Sequence, residues 1–463
     1  MFTQFNIENL NLSNFRCFEE FSIDFNLESR KVFSQGKSTE VGPLTVLVAR
    51  NGQGKTSILD AIRILFGTYT RAFSKTEKEV KSSVHATSSD IRKYRDGDGQ
   101  LKQADNMLID GNVQLCGKQE FACRSLDKKQ YSRTTHSDVE CISAYGRNIA
   151  EMRIKEPSTD WPLLAFYGTG RLWSATKITG RTLLLMDDPI FGYENCLGKD
   201  HNFRTVKDWL TKAVSKHNID LFDNLRPHPV MESQVKAISQ SLEQVLSEEG
   251  YSSELTMDSL LDELAVKQKT TDGIIPVAIS QLSDGVRAAF GLVADIAFRC
   301  ARLNPHHGEN APRMTDGIVL IDEVDLHLHP AWQQRILNSL QLAFPKLQFI
   351  VTTHSPQVIS SVPKECVRII DPNATEVYPL TLQTQGVESQ DILAEVFGTS
   401  GAPEADEWVI KLNDYASRVA MGSAVGGDPL YQELLDHYGT GYQPLLRIEL
   451  QRRFQNRREK QNA

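Results

Sequence analysis

No apolar run in this chain of 463 residues approaches the roughly 20 consecutive residues that span a bilayer, so no membrane-crossing role is expected. Met1 to Leu10 has neither a basic start nor an apolar middle, so no secretory leader is expected. Cysteine is sparse: seven residues, at 17, 116, 123, 141, 196, 300 and 366. An odd, scattered set suits reduced thiols in the cytoplasm better than a disulfide framework or a zinc cluster. Positive charge is in deficit, with 51 Lys and Arg against 59 Asp and Glu and a formal charge of -8, which argues against a dedicated basic nucleic-acid module. Sustained heptads are missing, which excludes a long coiled-coil arm. The remainder, 24% charged and 40% hydrophobic, is ordinary for a globular chain of two or three domains.

Four short segments carry the chemistry. The run Ile318-Val319-Leu320-Ile321-Asp322-Glu323 reads as a buried strand ending in two acids, followed by Val324-Asp325-Leu326-His327-Leu328-His329-Pro330. Adjacent carboxylates at such a strand end are costly unless they serve a cation or a water. The second segment is Ala49-Arg50-Asn51-Gly52-Gln53-Gly54-Lys55-Thr56, between apolar Leu44 to Val48 and a stretch in which Ile58, Leu59, Ile62, Leu65 and Phe66 recur at helical spacing. Strand, glycine loop and helix make a phosphate cradle, with backbone N–H groups near Gly52 and Gly54 and the partial positive charge of the helix start. Lys55 would reach the β- and γ-phosphates, and the Thr56 hydroxyl would ligate Mg²⁺. Ala49 stands where the usual pattern has glycine.

The third segment, Gln281-Leu282-Ser283-Asp284-Gly285-Val286-Arg287, opens a helix of small residues and by itself is N-cap chemistry. The fourth, Leu347 to Pro356, is a second apolar strand with His354 at its exit. Between the acids and His354, Ala331 to Phe344 predicts one helix with Trp332, Ile336, Leu337, Leu340 and Phe344 on a single face, started by Pro330 and stopped by Pro345. Strand, helix and parallel strand would deliver Asp322, Glu323 and His354 to one edge.

The order of these motifs resembles that of ABC-type ATPases of the group that includes SMC, RecF and OLD proteins. Leu12 to Phe18 is similar to the Asn-Phe-Arg strand that opens them. Pro162 to Trp173, Gly192 to Leu197 and Gln385 to Gly398 resemble the PtuA family, the ATPase subunits of Septu and retron-linked anti-phage systems. The resemblance implies an α/β fold: an ABC-type P-loop ATPase head with a mixed sheet, an inserted helical lobe and a small C-terminal helical region. It implies ATP and Mg²⁺, with Asn51, Gly52, Gly54, Lys55, Thr56 and Ser57 on phosphate and with Thr56 and Asp322 on the metal. Glu323 would be the general base and His354 would contact the γ-phosphate. Ser283 and Gly285 would close on nucleotide held by a second copy, in a head-to-tail dimer or higher homo-oligomer with Asp325 at the contact between sites. Arg16 would approach the nucleotide, unless it is a plain surface arginine. The loop joining the lobes is expected after Tyr167, without an unambiguous glutamine to mark it.

Along the chain, residues 1–200 are expected to form an ATPase lobe with a polar insertion, 201–275 a mainly helical lobe, 276–380 a second ATPase lobe, and 381–463 a docking region that includes Gln390 to Phe397 and Leu430 to His437. Basic residues cluster at Arg71, Lys75, Lys78, Lys81, Arg92, Lys93, Arg95 and Lys102, and again at Arg447, Arg452, Arg453, Arg457, Arg458 and Lys460. Both read as solvated surface before nucleic-acid contacts. Acids from Glu404 to Asp436 are spread without a strand ending in an Asp-x-Asp pair, so they read as surface rather than as a fused nuclease. His327 and His329 read as part of a structured turn rather than a metal pair. Two functions follow. In one, the chain is an ATPase that regulates a separate HNH nuclease of the PtuB type, meeting nucleic acid through the complex. In the other, it is a RecF- or OLD-like DNA-maintenance ATPase that binds nucleic acid directly.

Overall fold

The computed structural model describes residues 5–34, 36–73, 84–129, 140–170, 188–199, 203–222, 229–247, 250–271, 273–371, 373–377, 380, 383–399, 403, 405–424 and 428–462. At its centre lies a five-stranded parallel sheet in the order Leu163–Tyr167, Gly317–Ile321, Leu347–Thr353, Leu44–Val48, Val367–Ile369. Every residue of the first four strands is buried, which is why they read as unbroken apolar runs rather than as alternation. Parallel pairing puts all their carboxyl ends at one edge, where open α/β sheets hold ligands. The phosphate-loop strand pairs with the His354 strand, and that pairs with the acid strand.

The antiparallel strands form a separate sheet: Phe5–Ile7, Asn106–Leu115, Asn9–Phe15 and Phe18–Asp24, with Lys118–Asp127 also on Asn106–Leu115. Here burial alternates along Asn106–Leu115, so one face meets the core and the other faces outward. Gln348 ties the two sheets. Its side chain is fully buried in the parallel sheet, accepts from the Ile7 amide at 2.9 Å and donates to the Ile7 carbonyl at 2.9 Å. A polar residue in that strand is tolerated because both ends of its amide are paired.

The helices Arg204–Phe222 and Pro229–Leu246 fill the first part of the stretch 201–275, and they are followed by an antiparallel meander, Tyr251–Asp258, Glu263–Thr270 and Gly273–Ala278, that periodicity did not announce. In Glu263–Thr270 only Leu264, Ala265 and Val266 are buried, three in a row, so the strand never shows a period of two. The helix expected over Ala331 to Phe344 is two pieces, Pro330–Gln333 and Ile336–Ala343. Trp332, Ile336, Leu337, Leu340 and Phe344 are all buried nonetheless. The break leaves the Gln333 side chain donating to the Leu328 carbonyl at 2.9 Å and accepting from Ser355 Oγ at 2.7 Å.

By internal contacts the chain divides into Met1–Ser389 and Gln390–Ala463, so the expected pieces up to residue 380 belong to one compact unit. In the second unit the helices Glu407–Ala420, Pro429–Tyr438 and Gln443–Asn462 pack around Tyr415, Val419, Ala424, Leu434 and Leu445. Buried Glu449 accepts from the Tyr415 hydroxyl at 3.0 Å and from Arg452 and Arg453, and its carboxyl is pulled down to about 2, first by the Arg452 hydrogen bond. No helix among the described residues is long and apolar enough to cross a membrane.

Beneath the phosphate loop, the first helix, Lys55–Leu65, carries a second buried carboxylate, Asp60. It is met by Arg63 one turn on, by Arg16 Nη1 at 2.7 Å and by Lys199 Nζ at 2.9 Å. Burial pushes the Asp60 carboxyl up, but Arg63, Arg16 and Lys199 outweigh it and hold the group below the usual range. That stabilisation is complete above about pH 5 and is lost as pH falls through the depressed folded value. Removing one partner of a buried pair strands the other, so Asp60→Asn should cost about 3–5 kcal/mol. Equilibrium denaturation followed by tryptophan fluorescence checks this, and a loss near zero would remove Asp60 from this structural role.

Candidate active site

The phosphate loop is built by two glycines in backbone conformations other residues rarely take, Gly52 at φ 77° and Gly54 at φ 94°. A Cβ on Gly54 would strike the Phe18 ring at 2.4 Å and Cys17 Sγ at 2.8 Å, while one on Gly52 would meet nothing within 4 Å. One glycine is therefore needed for packing, and the other leaves open space beside the loop backbone. Ala49 is buried and outside the positive-φ set, so the missing glycine of the pattern costs nothing here. Asn51 is exposed at the loop, and Ser57 lies in the first helical turn. Lys55 is buried, with Nζ donating to the carbonyls of Ala49 at 2.8 Å and Arg50 at 3.4 Å. Burial lowers its pKa, against the pull of Asp322, Glu323 and Asp325. A cation whose described hydrogen bonds go to loop carbonyls is suited to an arriving phosphate.

Asp322 is the junction of the site. It is 3% exposed at the end of Gly317–Ile321, where Oδ2 accepts from Thr56 Oγ1 at 2.9 Å and Oδ1 accepts from Thr352 Oγ1 at 2.7 Å. The Thr56–Asp322 spacing matches the edge of about 2.9 Å between neighbouring ligands of an octahedral Mg²⁺ with bonds of 2.0–2.1 Å. These two oxygens are spaced as two neighbouring ligands of a divalent ion would be, once the Thr56 hydroxyl proton turns away from Asp322. Thr352 also accepts from the Glu323 amide at 2.7 Å, so one hydroxyl joins the Asp322 carboxylate to the backbone of the next acid. Glu323 has φ 50°, a conformation that costs a non-glycine residue about 1–3 kcal/mol. It is held there by that bond, by Leu326 N donating to its carbonyl at 2.9 Å and by Val324 N donating to the Thr352 carbonyl at 2.9 Å.

His354 leaves the neighbouring strand half-buried. Burial and the Lys55 cation hold its pKa below the ordinary value against Asp325, Glu323 and Asp322, so these five groups share one field and the imidazole is neutral near pH 7. Asp325 accepts from Thr353 Oγ1 at 2.6 Å, and Thr353 in turn accepts from the Ser355 amide at 2.9 Å. Ser283 is exposed at the N-cap of the helix Asp284–Leu303, with Oγ accepting only from Val286 N, at 3.4 Å, among its described bonds. Gly285 packs on the turn after the acids, where a Cβ would lie 2.5 Å from the His327 carbonyl oxygen.

Arg16 lies beneath the loop, its guanidinium paired with Asp60 and Asp90, and its neighbours Cys17 and Phe18 wall the loop at Gly54. The loop expected after Tyr167 lies outside the described residues beyond Gly170. Thr352 and Thr353 were missed by motif reading. The available signal was two hydroxyls inside a strand whose every residue is buried. Glu323→Gln should keep ATP binding and lose roughly 10²- to 10⁴-fold in turnover, whereas Lys55→Ala should weaken nucleotide binding itself. Thr352→Val keeps the shape and removes both bonds, so kcat should fall about 10- to 100-fold with little change in nucleotide affinity. Steady-state hydrolysis beside equilibrium nucleotide titration separates the three, and unchanged turnover in Thr352→Val would sink its positioning role.

A family model described as "AAA domain" matches residues 9–250, over half of the chain. A second, described as "AAA domain, putative AbiEii toxin, Type IV TA system", matches residues 203–360. Retron Ec83 probable ATPase of Escherichia coli is 24% identical over 97% of this chain and 86% of its own length. Retron Vc95 probable ATPase of Vibrio cholerae serotype O1 biovar El Tor is 26% identical, covering 86% and 83%. Septu protein PtuA of Bacillus mycoides (strain KBAB4) is 28% identical over 76% of this chain and 38% of its own longer one. Among solved structures, an SMC head bound to the C-winged helix domain of ScpA aligns with a TM-score of 0.41 and 16% identity over 81% of this chain and 97% of that one. With the phosphate loop, the acid pair and His354 at one sheet edge and these family matches, the chain belongs to the AAA-domain family and is an ATPase.

Proposed function

We propose that this chain is the ATP-hydrolysing regulatory subunit of an anti-phage defence complex, and that its nucleotide state restrains or releases an associated HNH nuclease. The observation that carries this reading is the similarity to a retron ATPase over 97% of the chain, which takes in the C-terminal unit as well as the ATPase core. The Septu relative supports the same class. Mg²⁺ held by Thr56 and Asp322 would neutralise charge on the phosphate oxygens. Lys55 exchanges the carbonyls of Ala49 and Arg50 for phosphate, and loop N–H groups around Gly52 and Gly54 bind the remaining oxygens. Glu323, set in place through its amide by Thr352, accepts the proton of the attacking water, and neutral His354 donates a hydrogen bond to the γ-phosphate.

Exposed Ser283 and half-buried Gly285 belong, in this reading, to the site of a second copy, with Asp325 at the contact between the two sites. Each copy then completes the other, and hydrolysis loosens the pair. The C-terminal helices Ser389–Phe397 and Pro429–Tyr438 serve as docking elements. Direct binding of nucleic acid is the weaker reading, because several members of both basic clusters already have acidic partners: Arg92 with Glu19, Lys102 with Asp96, and Arg452 and Arg453 with Glu449. Lys75, Lys78 and Lys81 lie outside the described residues.

Shared sites have a direct test. Chains carrying Lys55→Ala and chains carrying Ser283→Arg should each be inactive alone and recover hydrolysis when mixed, because one of the two composite sites is then intact. No recovery would count against the head-to-tail arrangement. For the output, an HNH nuclease should co-purify with the full-length chain, and its DNA cleavage in ATP should differ between native and Glu323→Gln complexes. Tight, salt-dependent duplex binding by the chain alone, with no nuclease attached, would favour the DNA-maintenance alternative.

A further inference from the structure

Past the C-terminal end of the helix Asp284–Leu303, which Ser283 caps at its start, two consecutive histidines and an aspartate from a distant segment converge. Nε2 of His306 lies 2.8 Å from Asp160 Oδ1, and Nε2 of His307 lies 2.6 Å from the same oxygen. The two rings are 4.2 Å apart, and one ligand atom from each residue falls within 4.8 Å of the others. Side chains of neighbouring residues usually diverge, so convergence of both on one atom asks for a cause. The frame behind them is rigid. Fully buried Asn304 accepts from the Trp161 amide at 2.8 Å, donates to the Trp161 carbonyl at 3.0 Å and donates to Thr315 Oγ1 at 3.0 Å. His307 N donates to the Asn304 carbonyl at 3.1 Å, so Asp160 and the two histidines flank a single clamp.

We propose that Asp160, His306 and His307 form a binding site for one transition-metal ion, zinc or a close relative, which clips the end of the helix Asp284–Leu303 to the entry of the edge strand Leu163–Tyr167. Two imidazole nitrogens and one carboxylate oxygen are a zinc donor set that leaves a fourth position for water. Tetrahedral bonds of 2.0–2.1 Å place ligand atoms about 3.3 Å apart, so the three side chains need shifts of under about 1 Å to admit the ion. All three are partly exposed, at 21% and 25% of their side-chain surface, which gives the ion a path in.

Two cations also stand nearby. Arg153 lies over the Trp161 ring and donates to the Leu303 carbonyl, and Lys346 is within the field of Asp160 and Asp316. They disfavour Mg²⁺ and Ca²⁺, which depend on accumulated oxygen charge, and leave ions that bond imidazole, such as zinc, cobalt and nickel. The site is independent of the proposed role in defence, since no residue of it belongs to the ATP site.

The test uses the full-length chain stripped of metal by a chelator and titrated with Co²⁺, followed by displacement with Zn²⁺. One Co²⁺ per chain is expected, with visible ligand-field absorption and no thiolate charge-transfer band. Zn²⁺ should raise the unfolding temperature of the native chain. His306→Ala and His307→Gln should each weaken Co²⁺ binding about tenfold or more and abolish the thermal shift. His307→Gln keeps a hydrogen-bond donor for Asp160, so folding of the metal-free variant is preserved and the loss of binding is read separately from loss of structure. Co²⁺ binding equal to native in both variants, a thiolate band placing the ion on cysteine, or no stoichiometric binding at all would each overturn the assignment and leave a hydrogen-bonded cluster.

Discussion

A carboxylate taken out of water must be met by donors, and the site around Asp322 is organised by that requirement. Burial of an unpaired carboxylate costs several kcal/mol. Asp322 meets it with Thr56 from the phosphate-loop helix and Thr352 from the neighbouring strand. Those two bonds tie together three segments that are remote in the chain, and Thr352 extends the tie to the amide of Glu323. The strained backbone of Glu323 persists because bonds on either side over-determine it. Any force that moves Thr56, such as an ion or phosphate arriving at the loop, acts on Asp322 directly.

Asp60 does for the underside of the loop what Asp322 does for its upper edge. It gathers Arg16 from the N-terminal sheet, Arg63 from its own helix and Lys199 from the segment after the edge strand. The N-terminal turn is thereby braced against the helix that begins at Lys55, with Phe18 and Cys17 filling the space that Gly54 leaves. Ligand and frame are joined through one short helix. The loop is open at Gly52, where an added Cβ would meet nothing within 4 Å.

Much of this was legible without coordinates, and the reasons differ by element. Buried parallel strands announce themselves as apolar runs, so Leu44–Val48, Gly317–Ile321 and Leu347–Thr353 were readable, and their loop residues came with them. The meander from Tyr251 to Ala278 was not, because its buried residues are few and adjacent in the chain. The break at Gln334 and Arg335 was hidden for another reason: both pieces keep the same buried face, so periodicity continues across a bend. Arg16 was legible as part of a motif, but its pairing with Asp60 was not, because that contact joins segments remote in the chain.

What the sequence alone determined was the inventory: a phosphate loop, an acid pair, a signature segment and a histidine at a strand exit, in an order that implies one ATPase site. These are local patterns, set by residue type and spacing. Tertiary structure decided which groups meet. Parallel pairing of Leu44–Val48 beside Leu347–Thr353 brought Thr352 to Asp322, burial made that contact obligatory, and packing of the Arg16 turn on the Lys55–Leu65 helix gave its guanidinium to Asp60. Asp160 and His306 lie far apart in the chain and share no motif, so only the clamp at Asn304 could bring them within bonding distance.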